Sequence, residues 1–160
     1  MSTAAQNLPR ASGSAARAIV WGGLIAGALD ITAAFIVYGY FGAKPIPILQ
    51  GIAAGVLGPQ SFQGGLATAA LGLFFHFLIA FTATAVYYAA SRWMRFLVEL
   101  PALSGPLYGV AVYFFMNRVV IPLSAARKFP FSWRGMIIGV VIHIFCVGTP
   151  IAMAVRRFSR

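Results

Sequence analysis

Leu66 to Ala90 reads LATAALGLFFHFLIAFTATAVYYAA, twenty-five residues without a single Asp, Glu, Lys or Arg. An α-helix rises about 1.5 Å per residue and a bilayer's hydrocarbon core is about 30 Å thick, so about twenty apolar residues cross it. Turn-forming and polar residues close the stretch on one side, from Gly58-Pro59-Gln60-Ser61 to Gly64-Gly65. Arg92 and Arg95 close it on the other. The stretch predicts a membrane-spanning helix.

Three further runs have the same character, at about residues 18–41, 103–123 and 135–155. The first is too long for a signal-peptide core and is followed by more such segments, so it reads as a retained span. The fold class expected is therefore all-α: an integral membrane bundle of four transmembrane helices (about 18–41, 66–90, 103–123 and 135–155) in a single domain, 18–160. Residues 1–17 are rich in Ser, Ala and Arg and lack acid, which predicts a disordered cytoplasmic tail. After Lys44-Pro45-Ile46-Pro47, the apolar piece Ile48 to Leu57 is too short to span and predicts a short interfacial or re-entrant helix between helices 1 and 2.

Composition agrees. The 160 residues are 61% hydrophobic and 9% charged, with a mean hydropathy of +0.88, against about 25% charged residues in soluble domains. The net charge of +10 comes from Lys and Arg that mostly flank the apolar runs. That placement is the signature of membrane orientation and contact with lipid headgroups; no nucleic-acid-binding module is recognisable. Seven of them (Arg10, Arg17, Arg92, Arg95, Arg156, Arg157, Arg160) fall on one side and four (Lys44, Arg127, Lys128, Arg134) on the other. The excess predicts a multi-pass membrane protein with both termini in the cytoplasm.

Few polar side chains fall inside the spans: Asp30, His76, Asn117, Arg118 and His143. A charged group at the centre of a bilayer costs at least about 2.5 kcal/mol, so each calls for a role. Small residues mark where helices approach closely, and they share faces with three of these groups. Gly23, Gly27, Asp30 and Ala34 form one stripe; Gly65, Ala69, Gly72, His76 and Ala80 a second; Gly135, Gly139, His143, Cys146 and Pro150 a third. By residue count Asp30, His76 and His143 fall at similar depth.

Three roles suit such a cluster. In the structural one, Asp30 pairs with Arg118 and each His donates to a backbone carbonyl or hydroxyl across the bundle. In the second, the Asp, His and Arg side chains relay protons or bind a small solute, as in a proton-coupled or small-solute transporter. In the third, His76 and His143 are axial ligands of a b-type haem. No cofactor is otherwise indicated, and His143 with Cys146 lacks a third ligand, so no metal site is expected. Cys146 is the single cysteine. The chain has no HExxH, P-loop or GxSxG motif and no carboxylate pair, which argues against an enzyme.

Several stretches resemble a group of small bacterial four-helix inner-membrane proteins with no established activity. They are Ile48-Leu49-Gln50-Gly51-Ile52-Ala53 with Gly55 and Gly58, Gly72 to Ala80 with His76-Phe77, Leu107-Tyr108-Gly109 with Met116-Asn117 and Ile121-Pro122-Leu123-Ser124, and Ile142-His143 through Cys146 to Ala152. More remotely the layout resembles YagU-like proteins, which pair a Gly-rich first helix with His-bearing later ones; their long polar insertion after helix 1 is missing here. The resemblance implies a four-helix protein of the bacterial inner (plasma) membrane and no activity. Residues and resemblance together predict a non-enzymatic accessory or scaffold protein in contact with membrane lipids, as a homo-oligomer or in a larger membrane complex.

Overall fold

The structure, a computed structural model, describes residues 11–128 and 130–159 and is helical throughout these apart from turns and short connections. Helix α1 is Ala11–Tyr40, α2 Pro45–Leu57, α3 Gly65–Ser91 and α4 the single turn Phe96–Glu99. Helices α5, Pro101–Leu123, and α6, Trp133–Ser159, complete the chain. Among the described residues, α1, α3, α5 and α6 are long and apolar enough to cross a membrane, the make-up of a multi-pass membrane protein.

The helices outrun the apolar runs that predict them. Helix α1 already begins at Ala11, inside the stretch expected as a tail, because Ala-rich sequence favours helix whether or not it is hydrophobic; residues 1–10 lie outside the described residues. Helix α6 continues past Val155 through Arg156 and Arg157, cations that suit the negative end of a helix dipole. Residues 45–57 do form a helix, with Pro45 in its first turn and Gly58 ending it at φ +64°.

Helix α1 lies between α3 and the second half of α6, α5 runs along α6, and α2 lies against α3. Both described ends of the chain and the 92–100 connection share one end of the bundle, here the terminal end. Residues 41–64 and 124–132 share the other, the loop end. The core sits near the terminal end, where Ala18, Tyr87, Leu97, Ile151, Ala152 and Val155 are all buried. Towards the loop end, Met116–Val120 and Trp133–Ile142 contribute no buried residue.

Glycines set the closest approaches. A side chain at Gly109 would run into the His143 carbonyl, one at Gly148 into the Gly105 carbonyl and Gly109 backbone, and one at Gly105 would stand 2.9 Å from Thr149 Cα. The backbones of α5 and α6 thus touch directly, as small residues allow. Gly72 plays the same part between α3 and α2, where a side chain would strike the Leu49 carbonyl.

Two helices are widened locally. Met116–Val120 in α5 and His143–Gly148 in α6 adopt π-helical hydrogen bonding. Each segment ends two residues before a proline, Pro122 and Pro150. Proline lacks an N–H and its ring clashes with the carbonyl four residues back; opening the preceding turn relieves that clash. In α6 the Thr149 hydroxyl donates to the Ile144 carbonyl at 2.8 Å and keeps that acceptor satisfied.

Candidate functional site

His76 reaches α1 one turn from Asp30, whereas His143 turns to its own helix and to α5. His76 Nε2 donates to the Gly27 carbonyl of α1 at 2.8 Å, one turn before Asp30. Cys146 of α6 lies within electrostatic range of Asp30. His143, one turn before Cys146, donates from Nδ1 to the Gly139 carbonyl of its own helix at 2.8 Å, and its ring meets Tyr113 edge-on at 5.3 Å. All three side chains are half-buried. Among the described residues, no hydrogen bond or ion pair joins them to one another.

Asn117 and Arg118 lie elsewhere. Both are exposed on the π segment of α5, and Asn117 Nδ2 donates back to the Tyr113 carbonyl at 2.9 Å. Among the described residues the expected Asp30–Arg118 pair is not formed, and His143 bonds within α6 instead of across the bundle as expected, because the Gly139 carbonyl one turn back lies within its reach. The five polar residues thus divide into three facing the bundle and two on its outer surface. Geometry explains the split: Gly105 and Gly109 turn towards α6, and Arg118, nine residues beyond Gly109, falls on a different face of α5 at about 100° per residue.

The expected small-residue faces of α1 and α3 are buried in part, and that of α6 is not. Gly23, Gly27, Ala69, Gly72 and Ala80 are buried, whereas Gly65 is exposed and no member of the α6 stripe is fully buried. Gly27 and Gly23 pack against the Phe77 and Phe81 rings of α3, and Gly139 packs against the Tyr113 ring.

Two buried polar clusters escape the sequence reading. In the first, Tyr87 Oη and Ser104 Oγ lie 2.8 Å apart and stand 2.8 and 3.1 Å from the Leu97 carbonyl. Tyr108 donates to the Ala83 carbonyl at 2.7 Å, and its ring meets Tyr87 at 4.9 Å. This cluster ties α3 to the 92–100 connection and to α5. In the second, Gln50 Nε2 donates to the Gly65 carbonyl at 3.0 Å and reaches Thr68 Oγ1 at 3.3 Å, while Thr68 donates to the Ser61 carbonyl at 2.6 Å. It fastens α2 to the start of α3. Hydroxyl, phenol and amide side chains are common in ordinary loops and helices, and only the fold tells which of them meet.

Two clefts open at the loop end. One, of about 190 Å³, lies between α1 and α6 beside Tyr38, Phe41 and Arg134. The other, of about 330 Å³, lies between α2 and the 124–127 segment beside Phe62 and Arg127. Neither is lined by Asp30, His76 or His143.

The protonation implied by these bonds bears on ligand chemistry. A carbonyl only accepts, so His76 carries its proton on Nε2 and His143 on Nδ1. A metal or haem iron would find Nε2 of His143 with a lone pair but would have to break the Gly27 bond to use Nε2 of His76. Among the described residues no three His, Cys, Asp or Glu side chains gather in one place. Comparison of the chain with protein-family models, curated proteins and solved structures finds no match, so residues and geometry alone carry the functional reading.

Proposed function

We propose that this chain is a non-enzymatic accessory or scaffold protein of a bacterial inner membrane, in which the intramembrane His76 fastens α3 to α1 rather than handling a substrate. The observation that carries the reading is the bond from His76 to the Gly27 carbonyl across two helices, while His143 bonds within its own helix and meets α5 only through the Tyr113 ring. In this reading the seven-to-four excess of Lys and Arg holds both termini in the cytoplasm. Helix α2, too short to span, rests at or dips into the opposite interface.

A second reading keeps a specific observation of its own. Among the described residues no hydrogen bond or ion pair reaches the half-buried Asp30 carboxylate. Carboxylates inside spans mark the ion and proton pathways of transporters, which is the role this reading gives Asp30.

Reconstitution separates the two. Liposomes carrying the purified protein under an imposed pH gradient are expected to leak protons no faster than empty liposomes. Asp30→Asn is expected to fold and assemble as the parent does. A proton or solute flux that Asp30→Asn abolishes would replace the scaffold reading with the transporter one. His76→Ala is expected to lower stability by about 1 kcal/mol, the order found for polar contacts between membrane helices. Unfolding of the detergent-solubilised protein measures it; no change on removing the imidazole would deny His76 its fastening role.

A further inference from the structure

The loop end holds an arrangement that the scaffold role leaves unused. The cleft of about 190 Å³ between α1 and α6 is lined by Tyr38, Phe41, Ser132 and Arg134 among others. The Arg134 guanidinium lies over the Phe41 ring, 4.9 Å from its centroid, which keeps the charge at the cleft. One turn along α6 from Gly135, which also lines the cleft, Gly139 faces the Tyr113 ring of α5. Tyr113 in turn lies within electrostatic range of both Tyr38 and Arg118. Helix α1 and the start of α6 therefore bring donors to the cleft, and α5 carries Tyr113 past it against Gly139.

Those donors are unspent. Among the described residues, no hydrogen bond or ion pair engages the phenols of Tyr38 and Tyr113 or the guanidinium groups of Arg118 and Arg134. No internal counterion is at hand either. The chain has two acids, of which Asp30 lies two turns or more along α1 from Tyr38, and Glu99 lies at the terminal end beside Arg95.

Cations and neutral donors without an acid select an anion. The volume is smaller than the roughly 300–1,000 Å³ of a typical small-molecule pocket, which restricts the anion to a small group. Guanidinium forks and phenol hydroxyls match the several acceptor oxygens of a phosphate. Exposed Tyr40, Phe131 and Trp133 surround this end, the side chains that collect at a membrane–water interface, where lipid headgroups supply phosphate.

We propose that the cleft between α1 and α6 binds a phosphate-bearing anion, either the headgroup of an anionic lipid or free phosphate, through Arg134, Tyr38 and Ser132 of its lining, with Arg118 adding charge from α5. The proposal stands apart from the scaffold role and does not depend on it.

The test uses the full chain purified in neutral detergent. Native mass spectrometry reads the retention of phosphatidic acid against phosphatidylcholine, and calorimetric titration reads inorganic phosphate. The parent protein is expected to hold phosphatidic acid in preference. Arg134→Gln is expected to weaken that binding about tenfold or more, the consequence of losing a charge-assisted contact. Ile138→Trp, which fills the cleft and leaves every charge in place, is expected to weaken it likewise. Lys44→Gln removes the same charge at the same end without touching the cleft lining, and is expected to change binding less than about twofold.

Inorganic phosphate that binds with the same dependence on Arg134 assigns the site to free phosphate; lipid retention without it assigns the site to a headgroup. Equal losses from Lys44→Gln and Arg134→Gln would reduce the effect to surface charge and overturn the proposal. So would binding indifferent to Ile138→Trp, or no preference for phosphatidic acid together with no phosphate binding.

Discussion

Gly109→Leu is expected to abolish the folded bundle, at a cost on the order of 3 kcal/mol or more. At this position a side chain has nowhere to go: it would meet the His143 carbonyl, with the Ile144 Cα 2.8 Å from its first carbon. These are backbone atoms of α6, which do not rotate away as a long side chain does. Separating the two helices far enough to admit leucine would also break the contacts of Gly105 and Gly148 on the same seam. Gly39→Leu is the matched control, because nothing lies within 4 Å of a side chain there. Size-exclusion profiles in detergent and reversible unfolding report the difference. Equal stability of the two variants would mean that α5 and α6 do not touch through their backbones.

Tyr87→Ala is expected to cost about 3–5 kcal/mol, the range for removing a buried aromatic ring. Tyr87 is 1% exposed and occupies the meeting point of α3, the 92–100 connection and α5. Tyr87→Phe keeps the ring against Tyr108 and removes only the hydroxyl, so its cost is expected near 1 kcal/mol. Ser104 retains the Leu97 and Leu100 carbonyls at 3.1 and 3.0 Å, which limits the damage. Thermal unfolding of both variants separates ring from hydroxyl. If phenylalanine proved as harmful as alanine, the hydroxyl bonds rather than the packed ring would hold this joint.

Hydropathy reveals the four long helices because each is one continuous apolar stretch, a property local in sequence. It misplaces their ends for an equally physical reason: a helix is sustained by its own backbone bonds and continues through Arg156 and Arg157 where hydrophobicity has stopped. The inward faces of α1 and α3 were legible from Gly23, Gly27, Ala69 and Gly72, since small residues repeat at helical spacing wherever another helix comes close. Pro122 and Pro150 offered a signal for the widened turns, because their missing N–H groups must be accommodated in the preceding residues.

The polar residues were harder. Counting depth along each helix puts Asp30, His76 and His143 at similar levels, and His76 bonds to the Gly27 carbonyl one turn before Asp30. Depth says nothing about rotation around the axis, and that is where Arg118 departs, exposed on α5 instead of turned towards Asp30. Tyr87 with Ser104, and Gln50 with Thr68, depend on how a connection folds back, which no periodicity records. Tyr38 and Arg134 are separated by most of the chain, and only the packing of α1 beside α6 brings them to one cleft.

The uneven distribution of the core along the bundle makes mutational tolerance a gradient. Ala152 and Ala18 are fully buried near the terminal end, while Ala111 is exposed midway along α5. Enlarging either buried alanine to leucine is expected to cost about 1–3 kcal/mol, and the same change at Ala111 next to nothing. A residue-by-residue scan of folded yield would read this as a slope, steep where α1, α3 and α6 converge and shallow towards residues 116–142. The chain therefore has a part where substitutions are resisted, the terminal end together with α2 and the turn after it, where Gln50, Ala53 and Ser61 are buried, and a second, residues 116–142, where most side chains vary with little loss of the fold. New surface chemistry is most readily acquired at the second.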